Sequence, residues 1–420
     1  MRFPRVVYWN NIPSPYVVGR FNALAQRGNL KFEAWFNERR EPDRSWDVHE
    51  EKWRFQARYI TERSVAGLRL RLPVSELRAL RPDLLVSLYA SASFALGSFL
   101  ARTIGARTAF RVLPTYDAWV KRSGWKETIK HFLFRTVDGV KVPGPDGANM
   151  ARRYGVPLDR IHSVTQSVDV AHYRRALEVT PGIRAERREQ LGLQGCVFLY
   201  VGRLWSGKGL DHLFDAYRLV RLQQPNISLL LVGDGVDEAH YRAMARNLSN
   251  VIFAGFVQPR ELPDYYALAD ALVFPTLGDP HGLVVEEAMA ANLPVICTEA
   301  AGDIRRRLPD GQAGYVIPPA NVAQLADRML QLAGDATLRG TFGANGQCLV
   351  ASRAHEQWAS DFESFVDRVL SMPPRRTPQV ALARAAGRSL LAGLESSRGP
   401  SPWRAILRRP QSPSGEGMGN

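Results

Sequence analysis

Val197-Phe198-Leu199-Tyr200-Val201-Gly202-Arg203-Leu204-Trp205-Ser206-Gly207-Lys208-Gly209 opens the second half of the chain. The five leading apolar residues read as a strand buried on both faces, and residues 210–222 after the glycines have helical periodicity. Strand, glycine-rich turn and helix together make a βα unit of a parallel sheet. Glycines let the backbone approach a ligand, a helix start offers unpaired N–H groups, and Arg203 and Lys208 add two positive charges. The turn is therefore a candidate site for a phosphate or diphosphate. Its Gly-x4-Gly-Lys spacing comes within one residue of a P-loop, but a P-loop needs a hydroxyl after the lysine to hold Mg²⁺, and Gly209 has none. The dinucleotide fingerprint G-x-G-x-x-G is absent too. A tight turn with a solvated lysine explains Lys208 alone, not the coincidence of Arg, Gly, Lys and Gly at a strand's end.

The same alternation runs in both directions from this unit. Apolar runs predict strands at 6–9, 32–36, 84–88, 108–112, 140–143 and 161–164, then at 197–201, 228–232, 251–256, 271–274 and 295–297. Helical periods fall between them at 122–135, 146–154, 210–222, 238–248, 261–269 and 283–291. Strands separated by helices imply two doubly wound α/β domains, with chemistry in the turns beyond the strands' carboxyl ends. The boundary falls between about 171 and 194, where no strand signal appears. The expected division is 1–175, 190–350, a helix in 351–372 and a tail over 373–420. That tail holds seven prolines, eight arginines and two glutamates, and reads as mostly disordered with one short helix at 380–394.

Two further turns carry chemistry. Gly233-Asp234-Gly235 follows the 228–232 strand and takes a supporting role, since any tight βα turn tolerates Gly-Asp-Gly. The third is Pro275-Thr276-Leu277-Gly278-Asp279-Pro280-His281-Gly282-Leu283-Val284-Val285-Glu286-Glu287-Ala288-Met289. Asp279 lies before a helix and Glu287 eight residues on, roughly on one helical side if the Asp279 loop folds back. One carboxylate suits sugar hydroxyls and the other a ribose, because carboxylates accept such bonds well. The amides near His281, Gly282 and Leu283 would face a donor at a positive helix end. The plainer alternative makes Asp279 a helix cap and Glu287 a surface charge; for Glu286 the surface charge is the expectation.

Composition bounds the answer. The chain has 420 residues, 45% of them apolar and 23% charged, which excludes a disordered or fibrous protein. Its net charge of +14 favours polyanions: nucleic acid, a membrane face or phosphorylated substrates. Cys196, Cys297 and Cys348 are scattered, show no zinc spacing and read as reduced thiols. Residues 84–101 are uncharged but only 18 long with four serines, so they read as a strand and helix, not a membrane span. The amino terminus shows no export signal, so the location expected is cytoplasmic. Between 102 and 135 eight Lys/Arg face only Asp117 and Glu127. Arg122, Lys126 and Lys130 share one helix face, and Trp125, Ile129 and Phe132 a neighbouring one. Such a segment suits an anionic membrane surface, although most apolar stripes pack on their own sheet. No RNA-binding or helix-turn-helix signature supports nucleic acid as a partner.

The order and spacing of the three turns resemble the retaining glycosyltransferases of family 4, which have a GT-B fold: two Rossmann-like domains facing a central cleft, with a carboxyl-terminal helix crossing back to the amino-terminal domain. The resemblance covers about 6–369 and is strongest over 197–298. It implies that Arg203 and Lys208 bind the donor diphosphate, that Gly233, His281, Gly282 and Leu283 line the donor site, and that Asp279 and Glu287 stand for the family's paired acids, Glu287 being the ribose-binding one. The first acid is Asp here where the family has Glu, one CH₂ shorter. On the acceptor side it points to Gly19 and, where many members carry a cleft histidine, to Tyr116 and Asp117; His131 and His162 read as surface or packing residues. It further implies a nucleotide-diphosphate sugar as donor substrate with no other cofactor and no metal, front-face retention, and a glycan or lipid-linked acceptor in bacterial surface polysaccharide or glycolipid synthesis, with a peripheral place at the inner membrane face open. A nucleotide-binding protein without transferase activity is the competing reading, and a basic nucleic-acid-binding protein a third. The terminal helix at 355–370, with Trp358, Phe362, Phe365 and Val369 in one stripe, is expected to dock on the amino-terminal half.

Overall fold

The computed structural model describes residues 2–41, 46–65, 68–113 and 124–396. Seven parallel strands form the amino-terminal sheet, in the order Gln56–Tyr59, Lys31–Phe36, Arg5–Asn10, Leu84–Ser87, Arg107–Arg111, Gly139–Val142, Ile161–Ser163. The carboxyl-terminal sheet has six, also parallel: Val251–Gly255, Ile227–Val232, Cys196–Val201, Ala271–Phe274, Val295–Thr298, Gly314–Ile317. Strands such as Cys196–Val201 and Ile227–Val232 are buried at every position, as sheets covered by helices on both faces require. Among the described strands, four escaped the sequence reading: the edge strand Gln56–Tyr59, the hairpin strands Glu62–Val65 and Leu68–Arg71, and Gly314–Ile317. The first three are short and charged, so they lack the apolar run that marks the central strands.

Each sheet reverses its winding beside its first strand. In the carboxyl-terminal half Cys196–Val201 pairs with Ile227–Val232 on one side and Ala271–Phe274 on the other, so the crevice of the switch point opens beyond Val201 and Phe274. The glycine-rich turn and the Asp279 loop leave from those two strand ends.

The chain passes between halves earlier than expected. Val168, Val170, Tyr173 and Ala176 already belong to the carboxyl-terminal core, so the crossing precedes Val168 and does not fall between 175 and 190. It returns beside itself, where Val168 bridges Ala354 in parallel. The helix His355–Ser371 then docks on the amino-terminal half as expected. Trp358, Phe362, Phe365 and Val369 are buried with Tyr8, Phe21 and Val86, each worth about 1.5–3 kcal/mol relative to exposure.

In the tail the helix expected at 380–394 is present, somewhat longer, and packed on the amino-terminal half. Pro378–Ser396 is a 19-residue helix lying along Ala92–Thr103, with Val380 and Ala383 buried. Arg375, 8% exposed, donates to the carbonyls of Phe134 and Gly155, and its backbone N–H to Asp138. Asp138 also accepts from Arg102 and Arg107. Two cations of the basic segment thus pair with one buried acid, which also anchors the Arg375 backbone, and the Arg375 guanidinium is spent on carbonyls. Proline and arginine density misled here because composition cannot see that an acid 237 residues upstream awaits the chain.

Candidate donor site

Gly202-Arg203-Leu204-Trp205-Ser206-Gly207-Lys208-Gly209 and Asp279-Pro280-His281-Gly282-Leu283 pack against each other. Gly209 has φ +70°, and a Cβ there would lie 2.1 Å from the Pro275 carbonyl, so glycine is required for the contact. The Leu277 amide donates to the Gly207 carbonyl at 3.0 Å. Gly233 fits beneath: its φ is +132°, and a Cβ would meet the Gly202 carbonyl at 2.0 Å. The supporting role expected for the Gly233 turn is structural, since it carries the first turn on its back.

Lys208 Nζ lies 2.5 Å from Asp279 Oδ2, and Asp279 Oδ1 accepts the His281 amide at 2.8 Å. Burial alone would raise the Asp279 carboxyl, but the Lys208 charge and hydrogen bond and the His281 amide hold it below its ordinary value. Two of the three Lys208 donors have no hydrogen-bond partner among the described residues. Arg203 is exposed, its guanidinium 5.7 Å from the Trp205 ring centroid. A cationic group at each end of a glycine turn, over a switch-point crevice, can hold a diphosphate.

The two adjacent acids behave unlike their expectations. Glu286, taken for a surface charge, is fully buried: Arg307 Nη1 reaches its two oxygens at 2.6 and 2.7 Å, with Arg353 4.0 Å away. Arg307 also donates to the His281 carbonyl and so ties the acid to the donor loop. Despite burial, Arg307 holds the Glu286 carboxyl far below its usual range. Expected at the surface, Glu286 is buried because Arg307, at the end of Ile304–Arg307, covers it.

Glu287 is also fully buried. Tyr16 from the amino-terminal half donates to its Oε1 at 2.6 Å and Tyr266 to its Oε2 at 2.7 Å, with Tyr173 beside them. Burial raises this carboxyl even against the tyrosine hydrogen bonds. Tyr16 thus bridges the halves through Glu287, the residue that the resemblance assigns to a ribose. A second junction joins the halves at Asp146 and Asp303, each accepting the other's backbone N–H at 2.9 and 3.0 Å.

His281 turns its ring inward: Nδ1 has no partner and Nε2 stands 3.5 Å from Glu286 Oε1. Burial first, and Arg307 next, push it down to about 4, so it is neutral at neutral pH. Gly282 and Leu283 precede the helix Val284–Ala290, whose seven residues give it a short dipole. Gly19 packs against the start of the crossing helix, where a Cβ would lie 2.3 Å from His355 Nε2. His162 packs edge-on against Phe365 and His131 on Tyr154, both as packing residues. Tyr116 and Asp117 lie outside the described residues.

With this geometry in place, likeness to known proteins gives the class. Anabaena HepE in complex with UDP aligns over 86% of this chain and 99% of its own, with TM-score 0.70 at 17% identity. The fold is GT-B, as that likeness and the helix returning across two parallel sheets define it. Residues 195–335 match the family model described as Glycosyl transferases group 1. An alpha-D-kanosaminyltransferase of Streptomyces kanamyceticus is 27% identical over 50% of this chain and 55% of its own. A capsular polysaccharide biosynthesis glycosyltransferase, CapM, of Staphylococcus aureus is 28% identical over 41% of this chain and 46% of its own. The chain spans about half the length of these curated relatives. The matched segment contains the glycine turn, the Asp279 loop and both buried acids.

Proposed function

We propose that this protein is a retaining, metal-independent glycosyltransferase of hexosyltransferase type, moving a sugar from a nucleotide-diphosphate donor to a hydroxyl of a glycan or lipid-linked acceptor in surface polysaccharide or glycolipid synthesis. The observation that carries it is Lys208 bonded to Asp279 across the two turns that leave the switch point. Lys208 and Arg203 take the charge of the leaving diphosphate, the role a metal fills elsewhere. Asp279, ionised, accepts hydrogen bonds from the transferred sugar. The acceptor oxygen forms its bond to the anomeric carbon on the face from which the diphosphate oxygen departs, and its proton passes to that phosphate. A relative named for capsular polysaccharide biosynthesis and a structural neighbour holding UDP support this reading. A donor-hydrolysis screen across nucleotide sugars with chelator present tests it: turnover of at least one donor is expected. Nucleotide binding with no turnover of any, with or without metal, would leave a binding protein.

The enzyme works against the inner membrane face without spanning it. Among the described residues no helix is long and apolar enough to cross a membrane. The helix Gly124–Phe134 buries Leu133 and Phe134, while Trp125 is 65% and Ile129 46% exposed, with Lys126 5.6 Å from the Trp125 ring centroid. Phe132 of the apolar stripe packs on the core beside Phe99, but its Trp125 and Ile129 end is left outward, and an exposed Trp and Ile beside Lys126 suit anionic headgroups. Flotation with anionic liposomes at 0.1 M salt is expected and its loss at 1 M, as the Debye length falls from about 10 to about 3 Å. Equal indifference to anionic and neutral liposomes at low salt would make a soluble acceptor the better reading.

A further inference from the structure

The amino-terminal half buries positive charge that no carboxylate among the described residues pairs with. Arg20, on the helix Pro15–Arg27, is 4% exposed, and Lys141, on the strand Gly139–Val142, is 3% exposed. Arg111 ends the strand Arg107–Arg111, half-buried, on the carboxyl side of the sheet. None of the three forms an ion pair with a carboxylate among the described residues. The nearest acid to influence Lys141 is the half-buried Asp361, which lies outside ion-pair distance.

Their hydrogen bonds are sparse. Lys141 Nζ reaches only the Val164 carbonyl, at 3.4 Å. Arg20 donates to the Tyr16 carbonyl at 3.0 Å and to the Gln166 side chain. Arg111 makes one long bond to Asn10 at 3.4 Å, and its buried Nε has no partner. Arg20 and Lys141 both approach the Trp358 ring, at 5.9 and 5.6 Å from its centroid, and Trp358 Nε1 is itself buried without a partner. The three cations also act on one another. Burial and then Arg111 push Arg20 down to about 9, and burial followed by Arg111 and Arg20 drives Lys141 well below its usual value.

Like charges brought together out of water, with donors to spare and no paired acid among the described residues, are costly unless an anion joins them. Arg20, Arg111, Lys141 and the Trp358 indole N–H bring donors from four separate elements, and planar guanidinium groups match oxyanions well. The cluster lies where ligands of doubly wound sheets bind, beyond or near the strands' carboxyl ends. It is in the half opposite the donor turns.

We propose that Arg20, Arg111 and Lys141 form an oxyanion site in the amino-terminal half that seats a phosphoryl group of the acceptor. Its assignment to an acceptor rests on the transferase reading; the binding of the anion does not.

The test is thermal unfolding of the full chain with chloride exchanged for inorganic phosphate at constant ionic strength, and in parallel with a hexose phosphate and the uncharged hexose. Phosphate is expected to raise the wild-type midpoint by about 5 °C at saturation. Lys141→Met and Arg111→Gln are expected to lose that rise. Lys141→Met should also match or exceed the wild type in phosphate-free buffer, because it removes an unpaired buried charge at nearly constant volume. A hexose phosphate binding tenfold or more tighter than inorganic phosphate, through the same residues, supports the acceptor assignment. Equal affinities keep the site but make a free anion its ligand, overturning that assignment. No midpoint shift in the wild type, an equal shift in both variants, or a Lys141→Met protein less stable than wild type without phosphate overturns the site itself. Donor hydrolysis without acceptor, measured on the same variants, should persist at the wild-type rate, so loss of the anion site and failure of the transferase reading remain distinguishable.

Discussion

Replacing Arg307 by methionine is expected to destabilise the carboxyl-terminal half by about 3–5 kcal/mol at neutral pH, the cost of leaving a buried carboxylate without its partner. On a unit of roughly 200 residues this lowers the midpoint by roughly 6–20 °C. The side chains of Arg307 and Glu286 are 2% and 0% exposed, so solvent cannot replace the lost bonds. The pH dependence has a definite sign. In the wild type the folded Glu286 pKa lies below the unfolded value, so the pair's stabilisation is present above about pH 4.5 and is lost as pH falls toward the folded value. In the variant burial dominates and the folded pKa rises, so the variant regains stability as pH falls from neutrality to about 4.5. The gap between the two proteins should therefore narrow on acidification, which urea titrations at pH 7 and pH 4.5 will read. The double variant Glu286→Met with Arg307→Met should recover most of the loss. A single variant as stable as wild type would mean that the pair is not buried in solution.

Glu287 obeys the opposite sign. Its folded carboxyl is raised by burial, so it favours folding below its unfolded value and opposes it as pH rises through the folded one. Two acids adjacent in sequence thus carry contrary linkages, and no local pattern announces this. Strand positions, the switch-point turns and the docking stripe of His355–Ser371 were legible because each rests on a local period or on glycine at a strand's end. Partners were not. Arg307 reads as the last of three surface arginines, Tyr16 as a loop residue, and Arg375 as part of a disordered tail. Each is decided by a residue far away in sequence: Glu286, Glu287 and Asp138. Net charge misled for the same reason, because part of the surplus is internal.

Lys208→Ala is expected to lower kcat/KM by roughly 10- to 150-fold, since a charge-assisted bond to phosphate is worth about 1.5–3 kcal/mol. Arg203→Ala should fall in the same range nearer its lower end, because Arg203 is exposed and water screens its charge. Lys208 has a second duty that separates the two variants. It holds Asp279, and with it the loop leading to His281 and Glu286. Its removal leaves Asp279 with only the His281 amide against the cost of burial, so Lys208→Ala should lower the midpoint, and by more than Arg203→Ala, whose side chain is exposed. Asp279→Asn keeps the loop's amide bond to His281 and, on the proposed reading in which this acid serves the sugar, should spare affinity for the nucleoside diphosphate while reducing kcat. Inhibition constants for the free nucleoside diphosphate make the comparison direct: weakened in both cation variants, unchanged in Asp279→Asn. Full activity in both Lys208→Ala and Arg203→Ala would remove the diphosphate from this turn. A diphosphate affinity lost in Asp279→Asn alone would move it to the carboxylate's side of the crevice, where only a bridging cation could hold it.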